Sequence, residues 1–118
     1  MSAADQAGGA GDGARGFGVS GTKHDGGKPR MGMLGMLRGP LSEVVRVLEH
    51  GEAKYGVQNW KRVENAKQRY LDALERHSLA ANDGEVRDPD SGLYTLAHVV
   101  CCGAFALWFQ LLEDAAGK

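Results

Sequence analysis

One stretch of this chain limits its fold more than any other. From Leu93 to Leu111, the residues Leu93, Tyr94, Leu96, Val99, Val100, Phe105, Leu107, Trp108, Phe109 and Leu111 cover nearly the whole circumference of a helix, because each residue turns by about 100°. A helix that is apolar all round is buried on every side or spans a membrane. The longest apolar run, Val99 to Leu112, is interrupted by Gly103 and Gln110 and reads as too short to cross a bilayer. Burial is therefore expected. Two partner helices cannot enclose a third, and a domain of about 80 ordered residues buries its surface poorly alone. The expected fold is all-α: a small bundle of three main helices, completed by homo-oligomerisation as a dimer or tetramer, without membrane contact.

The other helices follow from start and stop signals. The first is predicted to begin near Pro40, with Gly39 as N-cap and proline at the first helical position. Leu41, Val44, Val45, Leu48 and Tyr55 form its inward stripe, and Gly56 ends it. A second helix is predicted from about Val63–Ala66 to the stop Asn82-Asp83-Gly84, and the third from an N-cap at Ser91 to about Asp114. No alternating strand pattern and no internal repeat occurs. Residues 1–22 are mostly Gly, Ala, Ser and Asp and cannot offset their own ordering entropy, so a disordered tail is expected there and a single domain over 23–118. The tail's glycines make no phosphate loop, since no strand precedes them and no Gly-Lys-Ser/Thr follows. Lys23 to Gly39 reads as an extended arm packed on the body, with Pro29 and Pro40 breaking any long helix.

Charge and cysteine content narrow the function. Fourteen Lys+Arg stand against 15 Asp+Glu, which gives no broad basic footprint for stable nucleic-acid binding. No basic and apolar leader pattern opens the chain, so no signal peptide is expected. The adjacent Cys101 and Cys102 match neither a disulfide framework nor a Cys-x-x-Cys site. They read as small core thiols in a reducing cytoplasm.

Polar groups on apolar faces are the candidates for chemistry. On the first helix Glu52 falls inside the apolar stripe and Glu49 at its edge, whereas Glu43 and His50 project to the opposite side. On the second, His77 sits within Tyr70, Ala73, Leu74, Ala80 and Ala81, with Glu75 flanking and Asp72 pointing away. On the third, His98 lies among Tyr94, Cys101 and Phe105. A buried carboxylate is costly unless it is paired or bound to a metal, and facing helices of bundles commonly build metal centres. Glu49-x-x-Glu52 puts two hard oxygen ligands on one face, which suits Mg²⁺ or Mn²⁺, and Mg²⁺ normally brings polyphosphate with it. The plain alternative is that hydrogen bonds satisfy each group. Lys61, Arg62, Lys67 and Arg69 read as a solvated face. Trp60 after Asn59 either plugs the loop or stacks a base, and both readings stay open.

Several motifs occur in a fixed order. They are Lys23-His24-Asp25-Gly26-Gly27-Lys28-Pro29-Arg30, then His50-Gly51-Glu52-Ala53-Lys54-Tyr55-Gly56 with Asn59-Trp60, then Arg76-His77, Gly84-Glu85, Asp88-Pro89-Asp90-Ser91-Gly92-Leu93 and His98. Their order and spacing resemble phage dATP/dGTP diphosphohydrolases of the MazZ type, related to the MazG-like all-α nucleotide pyrophosphohydrolases. The resemblance covers Lys23 to about Leu112. It implies metal-dependent hydrolysis of purine deoxynucleoside triphosphates to monophosphate and pyrophosphate; the expected location is the cytoplasm, the host's if the chain is phage-encoded. Glu49, Glu52, Glu75 and Asp88 would then hold Mg²⁺ or Mn²⁺, and His77, Glu49 or His98 would handle protons. Lys28, Arg30, Lys54, Tyr55, Asn59, Trp60 and Arg76 would bind the nucleotide. MazG-like enzymes carry Glu-Glu-x-x-Glu and a later Glu-x-x-Asp; the nearest equivalents here are Glu49-x-x-Glu52 and Asp72-x-x-Glu75, reversed in the second half. The alternative function is a non-catalytic oligomeric helical adaptor or nucleotide-binding protein, favoured by the apolar third helix and the rearranged acidic motif.

Overall fold

The computed structural model describes residues 21–24 and 26–117, so the disordered tail expected over 1–22 lies almost wholly outside the described residues. Two compact units divide between Arg38 and Gly39. In the first, Met31–Leu37 form a 3-10 helix where the sequence suggested an extended arm. Side chains three apart eclipse one another in that helix, and Gly32 and Gly35 supply a pair with nothing to clash.

The second unit is all-α, as the periodicity predicts. Its helices are α1 (Arg38–Tyr55), α2 (Ala66–Asn82) and α3 (Thr95–Ala116), with a short 3-10 turn at Asn59–Arg62 before α2. Among the described residues the only β-pairing is an isolated antiparallel bridge between Arg87 and Tyr94. Pro40 falls inside the first turn of α1, where its missing N–H has no helical partner to lose. Gly56 ends α1 as expected: its φ of 103° lies where L side chains are strained, and its N–H closes on the Glu52 carbonyl at 2.8 Å.

α2 and α3 form an antiparallel hairpin whose register is set by side chains. Lys67 Nζ, near the start of α2, donates to Gln110 Oε1 and Glu113 Oε1, near the end of α3, at 2.9 and 2.8 Å. At mid-length a Cβ on Gly103 would lie 3.4 Å from Leu74 Cδ1, so the glycine allows the two helices to close. At the far end His77 stacks on His98. α1 adds Val44 and Val47 to a small core with Ala97 and Cys101, bordered by Leu93 and Phe105.

The inward face of α1 differs from the sequence reading. Val45, Leu48 and Tyr55 are 48, 39 and 61% exposed, while Glu43 and His50, expected outside, are half-buried. α1 is apolar on two neighbouring edges about 100° apart, and periodicity locates that arc without choosing an edge. The slimmer Val44/Val47 edge fits the shallow surface offered by Ala97 and Cys101.

α3 is not buried on all sides within one chain. Leu96, Val100, Leu107 and Leu111 form an outward stripe, 49 to 65% exposed. The buried apolar residues among those described are Val, Ala and Cys only, a thin core. At 22 residues α3 is also long and apolar enough to cross a membrane, which removes the length argument made from sequence. Its packed face nevertheless carries hydrogen-bonded polar side chains at Thr95, His98 and Gln110, as a helix in a protein core does.

Candidate functional site

The connection from α2 to α3 folds back on itself. Thr95 N–H donates to the Val86 carbonyl at 3.0 Å, Asp88 N–H to that of Leu93 at 2.8 Å, and Gly92 N–H to that of Asp88 at 2.8 Å. Asp88 Oδ2 accepts the N–H groups of Asp90 and Ser91 at 3.0 and 2.9 Å, a carboxylate holding its own turn. Ser91 does not cap α3. Its Oγ accepts the Leu93 N–H at 3.1 Å and lies 2.7 Å from His98 Nε2, and the helix starts at Thr95 after Tyr94. Thr95, fully buried, donates its hydroxyl to Glu85 Oε1 at 2.8 Å.

Above this turn the rings of His77 and His98 stack with centroids 4.9 Å apart and planes 21° apart. His77 Nδ1 is 3.9 Å from Asp88 Oδ1. Burial pushes the His98 pKa below its usual value, aided by the like charge of His77 and of His50; Asp88 and Glu85 oppose this without reversing it. Burial alone would raise the Asp88 pKa, but the Ser91 and Asp90 N–H groups and the two histidines outweigh it and bring it down. At neutral pH the Asp88 carboxylate is therefore ionised and the His98 imidazole neutral.

Of the residues expected from sequence, His77, Asp88 and His98 come together. Glu49 and Glu52 are exposed on α1, so the expected burial of Glu52 in an apolar stripe is corrected. Glu75 and Arg76 are exposed on α2. Among the described residues no group of three or more His, Cys, Asp or Glu is placed to share one metal ion. Asp88 Oδ2 serves two N–H groups, and Oδ1 faces His77 Nδ1 at 3.9 Å. A closed metal site is therefore not assembled by this chain's described residues; Glu49 and Glu52, one turn apart and open to solvent, are a two-carboxylate arrangement.

The expected nucleotide contacts fall in both units. Lys28 and Arg30 belong to the first unit, where Arg30 Nη2 reaches Met33 Sδ at 3.4 Å. Lys54 Nζ lies 5.2 Å above the exposed Tyr55 ring. Asn59 is half-buried at the start of the 3-10 turn. Trp60 is a plug: one ring face lies flat on Phe105, centroids 4.3 Å apart, and Trp108 meets it edge-on at 5.1 Å. Lys61 Nζ lies 5.4 Å from the centre of the same ring. Cys101 and Cys102 are buried free thiols, with burial and the neighbouring Cys102 pushing the Cys101 pKa up to about 12, which makes it inert. Sequence reasoning missed Ser91 and Thr95 as polar partners, and it placed His50 on the wrong side of α1.

The family model for the N-terminal part of dATP/dGTP diphosphohydrolases matches residues 19–116. This chain belongs to that family. The matched range of this diphosphohydrolase-family domain contains all three helices and the whole His77–Asp88–Ser91–His98 cluster. A protein of Salmonella phage PMBT28 named dATP/dGTP diphosphohydrolase is 34% identical over 90 residues, 76% of this chain. The match spans 30% of that relative's length. No solved structure matches the chain.

Proposed function

We propose that this domain serves the hydrolysis of dATP and dGTP to monophosphate and pyrophosphate, in the cytoplasm where those nucleotides are made. The observation that carries the reading is the family match across residues 19–116, and the phage relative's name supplies the reaction. The geometry supports it through His98. Its imidazole is held neutral by burial and fixed by Ser91, so it suits accepting a proton from a water activated for attack. His77 lies against its face and Asp88 provides the local negative charge.

Metal dependence belongs to the same proposal. Mg²⁺ is commonly held by one or two carboxylates together with substrate phosphates, which the open Glu49–Glu52 pair fits better than a closed cage. When bound, the ion would neutralise phosphoryl oxygens. Pyrophosphate release from dATP and dGTP, with and without Mg²⁺, is the direct test. Glu52→Gln should lower turnover about a hundredfold, as loss of a transition-state charge partner does. Because Glu52 is exposed, its melting temperature should not move. Normal turnover in Glu52→Gln would remove the carboxylate pair from the mechanism.

Self-association completes the proposal. The exposed edges of α1 and α3 and the thin core leave apolar surface that a second copy would cover. Light scattering should give a dimer or larger species, and Leu107→Glu should dissociate it; a stable wild-type monomer at micromolar concentration excludes this. A second reading, a non-catalytic oligomeric adaptor, draws on the lack of a three-donor metal group among the described residues. Metal-dependent pyrophosphate release by the isolated chain rules it out.

A further inference from the structure

The loop between α2 and α3 holds one cation in a geometry that the reading above does not use. The Arg87 guanidinium carbon lies 4.1 Å from the centre of the Tyr94 ring. Its Nη1 donates to the Gly92 carbonyl at 3.0 Å. Arg87 and Tyr94 also face each other across the antiparallel bridge, so the backbone fixes both members of the stack.

Three acids on this loop, Glu85, Asp88 and Asp90, could neutralise this charge, and none pairs with it. Glu85 is turned to the Thr95 hydroxyl, and Asp88 to the N–H groups of Asp90 and Ser91. Among the described residues no carboxylate lies within ion-pair distance of Arg87. Arg62 and Arg69 also reach backbone carbonyls, but neither rests on a ring. Arg87 has its plane set by Tyr94 and its rotation set by Gly92. Its remaining N–H groups keep a fixed fork, the geometry that grips the paired oxygens of a phosphate. Much of the side-chain ordering that such binding costs has already occurred on folding.

We propose that Arg87, laid flat on Tyr94, is a binding residue for a condensed phosphate chain, on the same loop that brings Ser91 to His98. The proposal rests on the nucleotide reading only for the natural source of that phosphate. Inorganic tripolyphosphate is the probe, titrated into the full chain by calorimetry, with deoxyadenosine as the phosphate-free comparison. Arg87→Met should weaken tripolyphosphate binding about tenfold or more, the scale of a lost charge-assisted contact. Arg87→Lys should fall between, Tyr94→Leu should weaken binding about threefold, and Tyr94→Phe should bind normally because the ring remains. Arg46→Met, which removes an exposed cation paired with Glu43 on α1, should bind as wild type.

Wild-type affinity in Arg87→Met, or no tripolyphosphate binding by the wild-type chain, overturns the proposal. So does loss of deoxyadenosine binding with tripolyphosphate binding intact, which would make Arg87 a base platform. If Arg87→Met fails to fold, Arg87→Lys and Tyr94→Leu decide the matter. Pyrophosphate release separates the two readings. An active enzyme with an indifferent Arg87 leaves the proposed function standing, whereas Arg87-dependent phosphate binding by an inert chain leaves only the anion site.

Discussion

The two ends of the α2–α3 hairpin are about equally half-buried, yet one buries rings and the other buries groups that exchange protons. At one end Trp60, Tyr70, Phe105, Trp108 and Phe109 meet ring to ring, and the Tyr70 hydroxyl donates to the Trp60 carbonyl at 3.1 Å. There, removal from water is favourable and every polar atom named has a partner. At the other end, burial lowers the His98 pKa, and the Asp88 carboxylate stays ionised only because N–H groups and histidines outweigh its burial. A helix pair can thus separate the end that holds it together from the end that can react.

The largest test of that division is Trp60→Ala. It should cost about 2–3 kcal/mol of stability, below the roughly 3–5 of a fully buried ring because Trp60 is half-exposed. Denaturant unfolding measures it, and an equal loss from His77→Ala would erase the difference between the ends. Next comes His98→Gln, which should lower turnover about a hundredfold while shifting the unfolding midpoint little. A near-normal rate would make the polar end structural as well.

The smallest effect is a pH dependence. The folded chain resists protonating His98, so the unfolded chain binds more protons below the ordinary histidine value of 6.5. Stability should be full above that value and decline as pH falls through it toward the lower folded value. Asp88, also lowered, adds a loss of the same sign below the ordinary carboxylate value of 3.8. Thermal melts in 0.5-unit steps, about the spacing needed to resolve one titration, should show His98→Gln flattening the upper part of this slope only. A chain that gains stability on acidification from neutral pH would contradict the sign.

The hairpin was legible because its signals are local. The Asn82-Asp83-Gly84 stop and the apolar spacing of the third helix placed α2 and α3 to within a few residues, and the helical period put His77 and His98 on inward faces. The face of α1 was not, because Val44/Val47 and Val45/Leu48 are equally apolar and only the partner surface distinguishes them. Ser91 carries a hydroxyl suited equally to capping a helix and to holding an imidazole, so its role waited on where the turn closed. The two readings of Trp60 needed the position of Phe105, 45 residues away in the chain. The carboxylates of α1 stayed ambiguous for the same reason as its face: rotating the helix by one residue moves Glu52 from the core to solvent.

The close fit of Leu74 against Gly103 has a kinetic side. Every contact that aligns α2 with α3, and every member of the His77–Ser91–His98 group, lies within the continuous segment 66–116. Chain segments that meet across a short connection close with little loop entropy and form early. The hairpin should therefore be the nucleus, with α1 docking afterwards. Substitutions at Leu74 or Gly103 should then slow refolding, whereas those at Val44 or Val47 should chiefly hasten unfolding.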